Sequence, residues 1–140
     1  MGVVLGLDLG EKRVGVARSD ETEIIAEALA TITYQTKDDL VNRLKPYFED
    51  LSPQKVIVGL PQTLRGEIGP AARKVKDLTD WLKDRLPGDW IFWDERFSTV
   101  EAEEILLEAN LSRNERKGIR DRVAAQRILQ SYLDSKNVRE

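Results

Sequence analysis

Residues 3–19 read VVLGLDLGEKRVGVARS, two apolar runs joined by Gly10-Glu11-Lys12-Arg13. Val3 to Leu9 is predicted to form one strand and Val14 to Ser19 a second, folded into a hairpin by the short polar turn. Alternation puts Val4, Gly6 and Asp8 on one face of the first strand and Val3, Leu5, Leu7 and Leu9 on the other. A carboxylate therefore stands inside a strand that is apolar enough to be central in a sheet. A buried charge needs a partner or a metal. Asp8 either belongs to a site or caps the hairpin through a local side-chain bond beside Gly10, and spacing alone weighs the two equally.

Working outward, Ala28 to Tyr34 is a third β-rich run. Thr36 with Asp39 three residues on resembles a capping box, opening a helix to about Leu51 whose apolar stripe is Leu40, Leu44, Tyr47 and Leu51. Pro46 lies inside that stripe, removes a helix hydrogen bond and predicts a kink or break. Lys55 to Leu60 reads as a short apolar strand. A loop from Gly59 to Gly69 leads to Pro70, a favoured first helical residue, and Val75, Leu78, Leu82 and Leu86 follow at helical spacing. Trp90 to Trp93 is apolar throughout, as a strand covered on both faces would be, and ends on Asp94-Glu95-Arg96. Ser98 and Glu101 make another capping box before a helical run to about Asn110. A charged loop, Ser112 to Gly118, then precedes the final helix. This order predicts an α/β fold, a mixed sheet with helices on its faces, in a single domain over 1–140.

Composition narrows the chemistry. The 140 residues contain no cysteine and no histidine, which removes disulfides, thiolate nucleophiles, Cys/His zinc sites and every histidine-based triad. Catalysis must rest on carboxylates, lysine, arginine or hydroxyls. No apolar run approaches the roughly 20 residues that span a bilayer. Asp8 interrupts the opening stretch before it could act as a signal-peptide core, and no myristoylation signal is present, so a cytoplasmic location and no membrane association are expected. The net charge of -3 argues against binding nucleic acid by bulk electrostatics, so a local basic surface or a metal must compensate.

Two more carboxylates stand out. Asp121 has Ala124, Ala125, Ile128 and Tyr132 as helical neighbours, which puts it on an apolar stripe whose two alanines would let the helix approach the sheet closely. The competing reading places Asp121 in the first helical turn, where a negative charge favours the dipole. Glu95, with Asp94 as its rival, sits where a strand ends and a loop begins, the usual position of site residues in open α/β sheets. Alone, each is compatible with a solvated turn. Together the three could converge from a first strand, another strand's end and a final helix. Oxygen-only ligands suit Mg²⁺ or Mn²⁺, and a metal pair can activate water and stabilise the leaving oxygen of a phosphodiester displacement. Cations flank each acid: Lys12 and Arg13 follow Asp8, Arg96 adjoins Glu95, and Arg113, Arg116, Lys117 and Arg120 precede Asp121. A solvated, salt-bridged surface is the competing account of these charges. Ser98 and Thr99 could contact phosphate as well as cap a helix.

The segments LDLGEKRVGVA at 7–17, VGLPQTLRG at 58–66, WDERFSTVEA at 93–102 and KGIRDRVAAQRILQSYL at 117–133, taken in order, resemble the YqgF family. These are RNase H-like proteins described as candidate Holliday junction resolvases and candidate pre-16S ribosomal RNA nucleases. The resemblance implies a five-stranded sheet in order 3-2-1-4-5 and a divalent-metal site at Asp8, Glu95 and Asp121. It also implies a role in trimming the 5′ end of precursor 16S rRNA. Thr63, Arg65 and the Ile119-Arg120 pair depart from the commoner family pattern.

Two other classes compete. Nucleotide-binding domains of the actin, Hsp70 and sugar-kinase type also begin Asp-X-Gly at a hairpin, but they clamp ATP between two such domains and 140 residues supply one. A P-loop fails because Val16-Ala17 stands where Lys-Ser/Thr is required, and no Rossmann fingerprint is present. A binding module on the same scaffold, recognising structured RNA, DNA junctions or a transcription complex with little or no turnover, stays open on sequence alone; the three carboxylates favour an active site, because a pure binder gains nothing from negative charge near phosphate. A monomer or weak homodimer is expected, since no apolar helix face marks a dimer interface.

Overall fold

The computed structural model describes residues 2–61, 69–94 and 113–138. Its strands are β1 (Val4–Leu9), β2 (Arg13–Ser19), β3 (Ala26–Thr33), β4 (Lys55–Leu60) and β5 (Asp89–Asp94), and its helices are α1 (Lys37–Leu51), α2 (Pro70–Lys83) and α3 (Arg113–Val138). The strands form one sheet in the order β3-β2-β1-β4-β5. β1 pairs antiparallel with β2 and parallel with β4, so the sheet is mixed and β1 is its centre, as the opening hairpin predicts.

Alternation along the strands divides the core. Leu5, Leu7, Leu9, Val14, Val16, Val56 and Val58 pack with Leu40, Leu44 and Phe48 of α1 and Val75 and Leu82 of α2 on one face. Val4, Ala17, Ala26 and Ile57 pack with Ala125, Ile128, Leu129 and Leu133 of α3 on the other. Helices thus cover both faces, and no described helix is long and apolar enough to cross a membrane.

Thr36 caps α1 by accepting from the Asp39 N–H at 3.0 Å, as the capping box predicts. The expected break at Pro46 is absent: α1 runs uninterrupted to Leu51 and closes on Ser52, whose N–H donates to the Phe48 carbonyl at 2.9 Å. Pro46 and Asn42, which loses its N–H partner to the proline, both lie on the exposed side, where water can serve the carbonyl while buried Leu44 and Phe48 hold the helix. β3 starts at Ala26, ahead of the expected Ala28, because Gln130 of α3 accepts from the Ala26 N–H at 2.8 Å and seats this residue on the helix. Leu86 is buried but lies beyond the end of α2. The charged stretch expected to be a loop is helical from Arg113, which makes α3 26 residues long. The helix expected near 98–110 lies outside the described residues.

Candidate functional site

Two glycines let α3 rest on the sheet. A Cβ on Gly6 of β1 would lie 2.8 Å from Leu129 Cβ and 3.1 Å from the Ala125 carbonyl oxygen. A Cβ on Gly15 of β2 would lie 1.8 Å from the Asp121 carbonyl oxygen, so backbone meets backbone there. Gly15 is the register partner of Asp8. The same close approach therefore brings Asp121 to Asp8. Glycine inside a strand is the sequence signal for such an approach.

Asp8 retains some solvent contact, yet its pKa is pushed up to about 6, first by burial and then by the charge of Asp121. The second cause requires the two carboxylates to be near neighbours. Asp121 lies more than two turns into α3, so the dipole account of its placement is overturned. The hairpin turn is closed by its backbone, with the Gly10 N–H donating to the Arg13 carbonyl at 2.9 Å.

Arg13 opens β2, and its Nε donates to Asp121 Oδ2 at 2.6 Å. Glu11, Lys12, Arg13 and Asp121 line a pocket of about 220 Å³ beside this pair. Glu11 is turned toward α2, where the Lys74 ammonium donates to it at 2.6 Å and holds its carboxyl below the usual range. A larger cavity of about 660 Å³ opens on the α1/α2 face among Leu9, Tyr34, Thr36, Pro61 and Lys74. Volume does not decide between the two. The smaller one holds the buried acid's partner, and the larger one's lining offers only Glu11 and Asp77 as carboxylates.

Of the expected residues, Asp8, Arg13 and Asp121 are brought together, with Lys12 in the same pocket lining. Lys117 belongs to α3, just before Gly118, whose carbonyl accepts from the Thr31 hydroxyl and ties the helix to β3. Glu95, Arg96, Ser98 and Thr99 lie outside the described residues. Asp94 pairs in register with Leu60, which belongs to the core on the α1/α2 face, so it is turned away from Asp8. Among the described residues no group of three or more His, Cys, Asp or Glu side chains is gathered closely enough to hold a metal. Asp8 and Asp121 are a pair, and the third expected acid is the undescribed Glu95.

A family model described as RuvX, Holliday junction resolvase, matches residues 2–135. A Halothermothrix orenii protein named "Putative pre-16S rRNA nuclease" is 41% identical over 134 residues, covering 96% of each chain. One of the same name from Caldanaerobacter subterraneus subsp. tengcongensis is 43% identical over 133 residues, covering 94% of this chain and 96% of its own. Among solved structures, T. thermophilus RuvC in complex with Holliday junction substrate superposes with a TM-score of 0.61 at 15% identity, covering 99% of this chain and 97% of that one. Fowlpox virus resolvase with Holliday junction DNA gives 0.59 at 13% identity, covering 96% and 98%. At such identities the likeness shows the fold, which is that of the RNase H-like resolvases. The family model and the relatives each match nearly the whole length, and on that ground the chain belongs to the RuvX/YqgF family.

Proposed function

We propose that this chain is a metal-dependent nuclease that hydrolyses phosphodiester bonds in precursor 16S rRNA during 5′-end maturation. It acts as a single domain over 1–140, as a monomer or weak homodimer, in the cytoplasm. The observation that carries the reading is the pairing of Asp8 with Asp121 on one face of the sheet, where burial and the second acid raise the Asp8 pKa to about 6. Two carboxylates converging without histidine or cysteine offer hard oxygen donors, which fit Mg²⁺ or Mn²⁺. Asp8, Asp121 and Glu95 would hold the ion. When bound, it supplies the activation of water and the stabilisation of the leaving oxygen.

The protein's own side chains position the substrate. Lys12 and Arg13 sit on the turn beside the acid pair and can take backbone phosphates, while Arg96, Ser98, Thr99 and Lys117 are assigned the flanking nucleotides. Asp8 must be ionised to act as a ligand, so a cation and a proton compete for the same oxygens. Relatives at about 40% identity carry the ribosomal name, which favours RNA as substrate. The description of the family model supports the second reading, resolution of four-way DNA junctions.

Incubating the protein and Asp8→Asn with RNA spanning the 16S 5′ precursor region, with Mn²⁺ or Mg²⁺ and beside a four-way DNA junction, tests both readings. Metal-dependent RNA cleavage lost in the variant is the expected result. Cleavage of the junction alone moves the assignment to resolution, and RNA binding without cleavage of either overturns catalysis.

A further inference from the structure

We propose that Arg13, as counter-ion of Asp121, competes with a divalent cation for that carboxylate and yields it when the cation binds. This rests on the reading of Asp8 and Asp121 as metal ligands and adds a competitor to their site. The Arg13 Nε lies 2.6 Å from Asp121 Oδ2, at the short end of charge-assisted bonds. Its side chain is 37% exposed and that of Asp121 19%, so the acid is the confined partner and the guanidinium the one with room to leave. The Arg13 backbone is fixed, since its carbonyl accepts from the Gly10 N–H at 2.9 Å, so any movement is confined to the side chain.

The charge balance gives the pairing its purpose. Gly15, the register partner of Asp8, meets the Asp121 backbone, so without a cation nearby two carboxylates would stand close together across a closely packed helix and strand. One guanidinium relieves this. A divalent ion relieves it more fully, and the two like charges then repel at one carboxylate, so each weakens the binding of the other by the same factor. A displaced Arg13 remains beside Lys12 at the lip of the 220 Å³ pocket, where it can receive a phosphate. Arg13 is thus a positioning residue with two alternating partners.

The test is calorimetric titration of Mn²⁺ into metal-free wild type, Arg13→Gln and Asp8→Asn, with thermal unfolding of each in the absence of metal. Arg13→Gln should bind Mn²⁺ about fivefold tighter or more, while its metal-free Tm falls by about 3 °C or more. In the wild type, Mg²⁺ should shift the Arg13 Nε–H resonance and speed its exchange with solvent, a readout that needs no variant. Equal or weaker Mn²⁺ binding by Arg13→Gln, or an Nε–H resonance unmoved by saturating Mg²⁺, overturns the proposal while the metal site itself stands. A wild type that binds no Mn²⁺, or Asp8→Asn binding it unchanged, removes the metal site and this proposal with it.

Discussion

The carbonyl oxygen of Asp121 occupies the space a Cβ on Gly15 would need, 1.8 Å from its ideal position. Neither atom can step aside, because one belongs to a helix backbone and the other to a strand paired on both sides. Gly15→Ala must therefore lift α3 from the sheet, at a cost of about 3 kcal/mol or more. Gly118, in the same helix, has nothing within 4 Å of its ideal Cβ. Gly118→Ala should stabilise the protein by roughly 0.5–1 kcal/mol through helix propensity alone. Urea unfolding of the two variants should move the midpoint in opposite directions. A Gly15→Ala protein as stable as wild type would refute the close contact.

Asp8 has a pKa of about 6 in the folded protein against an ordinary value of 3.8. The native state thus holds this proton more tightly than the unfolded state. Stability from the group is fully present below the unfolded value and is lost as pH rises through about 6. A gap of that size corresponds to a loss on the order of 3 kcal/mol in the metal-free protein. Asp8→Asn does not titrate, so its advantage over wild type should grow between pH 4 and pH 8 when measured by urea unfolding in chelator. A difference independent of pH would show that Asp8 is not destabilised in its ionised form.

Pro46 sits within α1 on the exposed side and deprives the Asn42 carbonyl of its helical partner. Pro46→Ala restores that hydrogen bond, and against the extra freedom of the unfolded chain it should gain about 1–2 kcal/mol. A thermal midpoint that does not rise would indicate that water already serves Asn42 fully.

Gln130 accepts from the Ala26 N–H at 2.8 Å and donates to the Ile24 carbonyl at 2.8 Å, joining the start of β3 to α3. Gln126 adds a bond of 3.1 Å to the Ala26 carbonyl. Gln130→Ala should raise amide exchange at Ala26 about tenfold, equivalent to about 1.4 kcal/mol of local opening, and leave the α1 amides unchanged. Uniform loss of protection would mean that the residue supports the whole fold.

Periodicity exposed most of this architecture. β4 matches its expected bounds, β1, β2 and β5 match within a residue, and Thr36 and Pro70 open their helices as their chemistry requires. The site was half legible. Asp8 and Asp121 each broke an apolar pattern, and the two alanines after Asp121 foretold a close helix. What spacing could not supply was the partner of Arg13, because an ion pair between the first hairpin and the last helix leaves no trace in local sequence. The loop expected before Gly118 failed for a related reason: a run of charges reads as solvated, yet its N-terminal turns continue a helix pinned to β3 through Thr31. Pro46 shows the reverse error, a breaker overruled by the burial of Leu44 and Phe48.

Asp8 and Asp121 stand 113 residues apart in the chain, yet the two meet only where α3 settles on Gly6 and Gly15. A nascent chain emerging from the ribosome carries the first acid long before its mate exists. The pair is therefore assembled by tertiary packing and not by local sequence, and a chain cut anywhere between β1 and α3 keeps the first acid without the second.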